Sequence, residues 1–139
     1  MRRHLTPGEA EAALRRGASI QQFLGFADLE DGRDTFWYLE ISPRRDEIAV
    51  YAQHVFDEGH ETFGDVGEFS PVKEWDPFDE LVLPDDFTRD PSVTVFSTAG
   101  EALAHTLIQL GARPDRWVNS GLIDDEYTDA RHTRTAPQP

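Results

Sequence analysis

The sequence predicts one α+β domain, with N-terminal helices, a three- to four-stranded, mainly antiparallel sheet, and a C-terminal helix packed on one face of that sheet. Three observations lead to this prediction. Apolar residues repeat with a period near four before residue 25, with a period of two after residue 34, and with a period near four again after residue 98. A chain of 139 residues also fits one domain, which buries roughly two-thirds of its unfolded surface.

Two short helices are predicted first. Residues 6–9 have the order Thr-Pro-Gly-Glu, which combines a capping box with proline at the first helical position, and Gly17 ends this helix. Ser19 then caps a second helix over residues 20–24, where three apolar side chains share a helical face. The polar residues 28–34 are predicted to form a loop.

The middle of the chain predicts a series of strands. In the first of them, side chains alternate between one side, with Trp37, Leu39 and Ile41, and the other, with Phe36, Tyr38 and Glu40. The predicted strands are residues 35–42, 47–56, 62–70 and 92–96. Gly64 and Gly67 weaken the third strand and indicate either a bulge or a close approach of the backbone there. Short connections between neighbouring strands predict an antiparallel meander.

The last predicted helix spans residues 99–110, where Thr98 and Glu101 form a capping box. Its apolar stripe consists of Ala99, Leu103, Leu107 and Leu110, with Ile108 alongside. The domain is expected to span residues 1–127. Residues 128–139 lack apolar periodicity and are expected to form a disordered C-terminal tail.

Charge is the strongest functional signal in the sequence. The net charge is −14, and residues 57–90 carry twelve acids against Lys73 and Arg89, a balance of −10. Such an anionic surface repels nucleic acid and anionic membranes and attracts basic proteins or cations. We therefore predict a basic protein partner, with no nucleic-acid partner and no membrane partner. No apolar run approaches the ~20 residues that a membrane span requires.

The segment 74–87 is the predicted partner-binding segment. Its aromatic side chains can anchor a partner while its acids steer association. The candidate contacts are Trp75, Asp76, Phe78, Asp79, Glu80, Asp85 and Asp86. The alternative is a solvated acidic loop whose aromatic side chains only fill the edge of the core.

A second candidate is a metal site near the end of the second strand. The potential ligands, five within eight residues, are His54, Asp57, Glu58, His60 and Glu61. Histidine together with carboxylate suits zinc, manganese or iron. The alternative is a solvated hairpin turn, because side chains late on a strand and within a turn need not converge. We favour this alternative and predict no bound cofactor.

No other motif identifies a reaction. The chain has no cysteine, which excludes disulfides, thiolate zinc sites and cysteine nucleophiles and agrees with a cytoplasmic location. A Gly-x-Ser-x-Gly elbow, a P-loop and a dinucleotide fingerprint are all absent from the sequence. Binding is therefore favoured over catalysis.

In character the sequence resembles the small acidic immunity proteins of bacterial toxin systems, which are cysteine-free, anionic and rich in aromatic residues. The piece Leu83-Pro84-Asp85-Asp86-Phe87 is similar to a Leu-Pro-x-x-Tyr piece of one superfamily of these proteins. The glycine-rich and tryptophan-containing surroundings of that piece are absent, so we assign no family. The resemblance implies that the chain neutralises a basic nuclease toxin by covering its active site.

The sequence leaves three functions open. The first is a small, acidic, non-catalytic binding protein of the immunity or regulatory type, which occludes a basic protein partner. The second is a small metal-dependent enzyme that uses the acidic cluster around His54 and His60. The third is a homo-oligomeric structural protein, so a monomer and a homodimer are both expected states.

Overall fold

An open antiparallel sheet of five strands organises the residues that the structure describes, which are 3–28, 32–59, 64–70 and 93–135. This computed structural model contains, in chain order, α1 (Pro7–Arg15), β1 (Ile20–Asp28), β2 (Asp34–Pro43), β3 (Ile48–Phe56), a short 3-10 helix (Val66–Glu68), β4 (Val93–Phe96), α2 (Ala99–Gln109), β5 (Val118–Asn119) and α3 (Ile123–Thr135). The strand order is β4-β3-β2-β1-β5. The α+β class and the single domain are confirmed, but the sheet of the described residues has five strands instead of three or four.

The meander predicted from the alternating pattern forms the centre of the sheet. β2 pairs with β3 from Thr35↔Phe56 to Pro43↔Ile48 without a shift of register. β4 pairs with the beginning of β3 and confirms the short strand predicted over residues 92–96. Because successive side chains of a strand point to opposite faces, this register divides the meander into two distinct faces.

The helix predicted over residues 20–24 is wrong, because this segment is the first half of β1. β1 pairs with β2 along its length, and a bulge between Phe23 and Gly25 shifts the register. The extra residue places Phe23 and Phe26 on the same face, where both pack against one core cluster although they are three positions apart. Of the three side chains predicted to share a helical face, Ile20 and Leu24 pack in one core cluster, whereas Phe23 packs in the other cluster.

The third strand predicted over residues 62–70 is also wrong for the part that the structure describes. There the backbone forms the 3-10 helix Val66–Glu68, and Asp65 caps it by accepting a hydrogen bond from a backbone amide at 3.2 Å. This single turn buries Val66 and Phe69 together, although they are three positions apart. The fifth strand comes instead from β5, which pairs with the beginning of β1.

Two clusters of buried side chains cover the two faces of the sheet. Face A carries Leu39, Ile41 and Val50, and α1 and α2 pack against it. Face B carries Phe36 and Val55, and α3 and the 3-10 helix pack against it. The cluster on face B is largely aromatic, whereas small and branched aliphatic side chains dominate on face A. The sheet is therefore the middle of three layers.

Helix α2 lies where it was predicted and begins after the predicted N-cap Thr98. Its buried residues are Ala99, Ala102 and Thr106. Two members of the predicted apolar face are exposed, Leu107 by 40% and Ile108 by 75%. Of the predicted stripe, Ala99 is buried, and Leu103 and Leu110 are partly buried against the same core cluster.

The disordered tail predicted from residue 128 onward differs from the structure, because α3 continues through Thr135. Acids in the first turn of α3 suit the positive end of the helix dipole. Arg3 donates hydrogen bonds from one nitrogen to Glu126 at 2.8 Å and to Asp129 at 2.6 Å. Ion pairs with the N-terminal segment thus stabilise a helix that apolar periodicity does not reveal.

Candidate partner-binding face

The predicted partner-binding segment lies outside the described residues. All of its candidate contacts, Trp75, Asp76, Phe78, Asp79, Glu80, Asp85 and Asp86, fall between residues 71 and 92. Their part in binding therefore stays a prediction, and a binding face has to be sought on the sheet itself.

The predicted metal ligands of β3 and its end each have a different partner. The Nε2 atom of His54 lies 2.7 Å from the hydroxyl of Thr35, and its ring stacks on Trp37 with 4.2 Å between centroids. Asp57 accepts a hydrogen bond from the hydroxyl of Tyr127. Burial lowers the pKa of His54, so its ring is neutral at pH 7.

These side chains do not converge. His54 belongs to face A, whereas Asp57 bonds to a tyrosine that packs on face B. Glu58 accepts a hydrogen bond from the backbone amide of Ser70. No group of three or more histidine and acidic side chains able to hold a metal occurs in the described ranges, and His60 and Glu61 lie outside them. The metal site and the solvated turn both stay predictions, since two of the five candidate residues lie outside the described ranges.

Face B contains a different arrangement of acids and aromatic rings. The register of β2 and β3 places Tyr38 opposite Gln53 and Glu40 opposite Tyr51, all of them half-buried. Asp124 lies at the start of α3, the helix that packs on this face. We call the surface formed by Tyr38, Glu40, Tyr51, Asp65, Asp124 and Asp125 the acidic–aromatic face.

Electrostatic coupling shows that these groups lie close together. Burial raises the pKa of Tyr38, and the charges of Glu40 and Asp124 raise it further. Burial likewise raises the pKa of Asp124, and the neighbouring charges of Asp65 and Asp125 add to this effect. A hydrogen bond from the Val66 amide at 2.9 Å acts in the opposite direction without cancelling it. Asp65 and Asp125 therefore repel ionised Asp124.

Hydrogen bonds hold the centre of the face in place. Gln21 donates to the Glu40 carboxylate at 2.9 Å and accepts a bond from the Gly121 amide at 3.0 Å. The guanidinium of Arg44 lies 5.5 Å from the centroid of the Tyr51 ring, which is an internal example of a cation beside this face. The side chains that would meet a partner are thus positioned by β1, β2 and the start of α3.

The sequence analysis predicted only part of this face. Period-two alternation correctly placed Tyr38 and Glu40 on one side of a strand. It did not connect them with Asp124, because that residue is 84 positions beyond Glu40 and reaches the sheet through the packing of α3. The acids at the start of α3 were a detectable signal, since acidic first turns mark helix N-termini.

Chemically, the face presents hydrogen-bond acceptors and aromatic rings. Carboxylates form strong charge-assisted hydrogen bonds with arginine and lysine, and tyrosine rings bind the same cations through their faces. Such a surface can bind cationic side chains.

Comparison with known proteins identifies no family for this chain. No family model matches the chain, and neither a curated protein nor a solved structure is significantly similar to it. None of the helices in the described ranges has the length and apolar character needed to cross a membrane.

Proposed function

We propose that this chain is a small, acidic, non-catalytic binding protein of the immunity or regulatory type, which occludes a basic protein partner. The grouping of carboxylates and tyrosine rings on the acidic–aromatic face carries this proposal. Burial disfavours ionised Asp124 in the free protein, and repulsion by Asp65 and Asp125 adds to this effect. A cationic side chain placed among these groups relieves that repulsion, so binding of a basic partner is favoured there.

The charge of the whole chain supports the same function. A net charge of −14 produces a negative field that accelerates the approach of a basic protein and excludes nucleic acid. Half-buried Tyr38 and Tyr51 supply the rigid aromatic surface that interfaces use as anchors. The metal-enzyme alternative has less support, because His54 and Asp57 are held by partners on opposite sides of the sheet.

The test compares two double variants that each remove two charges. Glu40→Gln with Asp124→Asn removes two of the four acidic charges of the face while keeping the side-chain oxygens that accept from Gln21 and from the backbone. Asp46→Asn with Asp115→Asn neutralises two exposed acids elsewhere. The basic partner is first captured from the source lysate at low salt, eluted at high salt and identified. Its affinity for each purified variant is then measured.

We expect the face variant to bind about tenfold or more weakly, which corresponds to about 1.4 kcal/mol, and the control to change much less. Equal weakening by both variants would show that only net charge matters and would reject this face. An elution without a basic protein would reject the proposed function.

The segment 74–87 enters the same experiment as a separate arm. Charge reversal at Asp76, Asp79 and Asp86 should weaken binding and reduce its salt dependence if these residues contact the partner. Unchanged affinity would remove that segment from the interface and leave the face on the sheet as the candidate.

A further inference from the structure

A second feature, on the opposite side of the sheet, is an apolar pocket of 410 Å³. It opens between the C-terminal end of α2 and the part of face A that lies beyond the packed helices. The described residues around it include Leu24, Trp37, Leu39, Ala52, Gln109 and Leu110, and none of its described lining residues is ionisable. Its volume falls within the roughly 300–1,000 Å³ that small-molecule sites occupy.

The bulge in β1 shapes the floor of this pocket. Gly25 adopts a φ of 142°, which favours glycine, and a Cβ built there meets nothing within 4 Å. The floor beside Trp37 is therefore backbone without a side chain, and space remains open above it.

Hydrogen bonds and ring stacking orient one wall of the pocket. Buried Thr35 donates its single hydroxyl proton to the carbonyl of Ala27 at 2.5 Å. The same oxygen must then accept from the Nε2 atom of His54 at 2.7 Å, so that this nitrogen carries the ring proton. The His54 ring lies parallel to the Trp37 indole, within 5°. Trp37 is 39% exposed, and the stacking on His54 orients its indole, which lowers the entropy that binding must remove.

The uncharged lining of the pocket indicates which kind of molecule can bind there. A charged group entering the pocket would lose hydration without gaining a counter-ion from the described lining residues. The basic partner proposed above instead favours the acidic–aromatic face, on the other side of the sheet. Aromatic and aliphatic walls with one amide, Gln109, suit a neutral and largely apolar molecule that has at most a few hydrogen-bonding groups.

We infer that this pocket binds a neutral, predominantly apolar small molecule, with Trp37 as one wall and the bulge at Gly25 as the floor. The inference is independent of the proposed binding of a basic protein, because it uses a different surface and a different chemistry.

The neutral fluorescent probe N-phenyl-1-naphthylamine tests the inference with the full chain. Ala52→Leu adds side-chain volume inside the pocket, and Trp37→Ala removes its wall. The matched control is Ile108→Ala, which removes apolar surface that is 75% exposed and absent from the lining. Fluorescence titration gives the affinity, and amide and indole N–H chemical shifts give the location of the probe.

We expect binding that both pocket variants weaken by about tenfold, with an unchanged affinity for the control. Shifts should centre on Gly25 and the Trp37 indole. Thermal unfolding of each variant distinguishes a lost site from a lost fold. The anionic analogue 8-anilino-1-naphthalenesulfonate should bind more weakly than the neutral probe, because the described lining offers no cation.

Three results would overturn the inference. They are no saturable binding of the neutral probe, equal affinity in Ala52→Leu and the wild-type chain, or shifts centred outside the pocket. A concentration-dependent increase in mass that Ala52→Leu abolishes would show that a second copy of the chain occupies the pocket instead.

Discussion

Tyr127 joins the end of the sheet to α3 through a buried contact. The residue is 1% exposed, its ring stacks on Phe36 with 5.0 Å between centroids, and its hydroxyl donates to Asp57. The chain after Asp57 passes so closely that a Cβ at Gly59 would lie 2.0 Å from the tyrosine oxygen. At this position the sheet, the following loop and the last helix share one packing site.

Replacing Gly59 by alanine should therefore destabilise the protein. We expect a loss of about 1–3 kcal/mol in the free energy of unfolding, because a backbone segment or the buried ring must move. Gly8→Ala is the matched control, since its Cβ would meet nothing within 4 Å. Denaturant unfolding of both variants checks the prediction, and similar stabilities would contradict it.

The same tyrosine predicts a pH dependence. Burial, together with the hydrogen bond to Asp57 and its charge, raises the pKa of Tyr127 well above its ordinary value near 10. The neutral phenol is thus favoured in the folded state, so its stabilisation is complete below about pH 10 and is lost as the pH rises toward the folded pKa. Stability should decline above about pH 10.

Tyr127→Phe supplies the comparison. It should lower stability at pH 7 by about 1 kcal/mol, since one hydrogen bond is lost, and it should reduce the decline at alkaline pH. Unfolding measured from pH 7 to 11 tests both expectations. An identical alkaline decline in the variant would assign the titration to another group.

Sequence reasoning at the residue scale failed where a partner was distant. Asp57 looked like a metal ligand because of its near neighbours, but it bonds to a tyrosine 70 positions away. His54 looked like a ligand for the same reason, and its stacking partner belongs to another strand. Local composition revealed which residues can carry charge. It did not reveal which of those side chains already have a hydrogen-bond partner elsewhere in the fold.

At the scale of elements, the alternating strands were the most predictable part of the fold. β2 and β3 repeat with period two over most of their length and were placed nearly to the residue. β1 was mistaken for a helix because Ile20, Phe23 and Leu24 have helical spacing, although in the strand Phe23 packs on face B and the other two pack on face A. β5 contains only two residues, which is too short for any periodic signal.

Helix α2 allows its observed buried face to be tested. Ala102 is fully buried, so Ala102→Leu should overpack the contact and lower stability by about 1–3 kcal/mol. Ile108→Ala should change stability by no more than about 0.5 kcal/mol, because its side chain is 75% exposed. Thermal unfolding of the two variants checks this order. The reverse order would contradict the buried face that the structure shows for this helix.

At the scale of the whole molecule, like charge opposes folding. A net charge of −14 generates repulsion that the folded state concentrates and that salt screens. We expect the midpoint of thermal unfolding to rise by about 3 °C between low and moderate sodium chloride, equivalent to about 1 kcal/mol for a domain of this size.

The double variant Glu40→Gln with Asp124→Asn should show a smaller rise, because two of the repelling charges are gone. A midpoint that falls with salt would mean that attractive ion pairs, such as those of Arg3, outweigh the repulsion.

The contacts between the two ends of the described chain have a consequence for biosynthesis. His4 forms an isolated bridge with Val118, and Arg3 pairs with Glu126, which is 123 positions later. During translation the hairpins of β1, β2 and β3 leave the ribosome early and can pair at once. The outer edge of β1 receives β5 only after residues 118 and 119 have been made, and the N-terminal segment then pairs with β5. The nascent protein therefore exposes an unpaired strand edge until residue 118 has been made, the interval in which a chaperone protects it best.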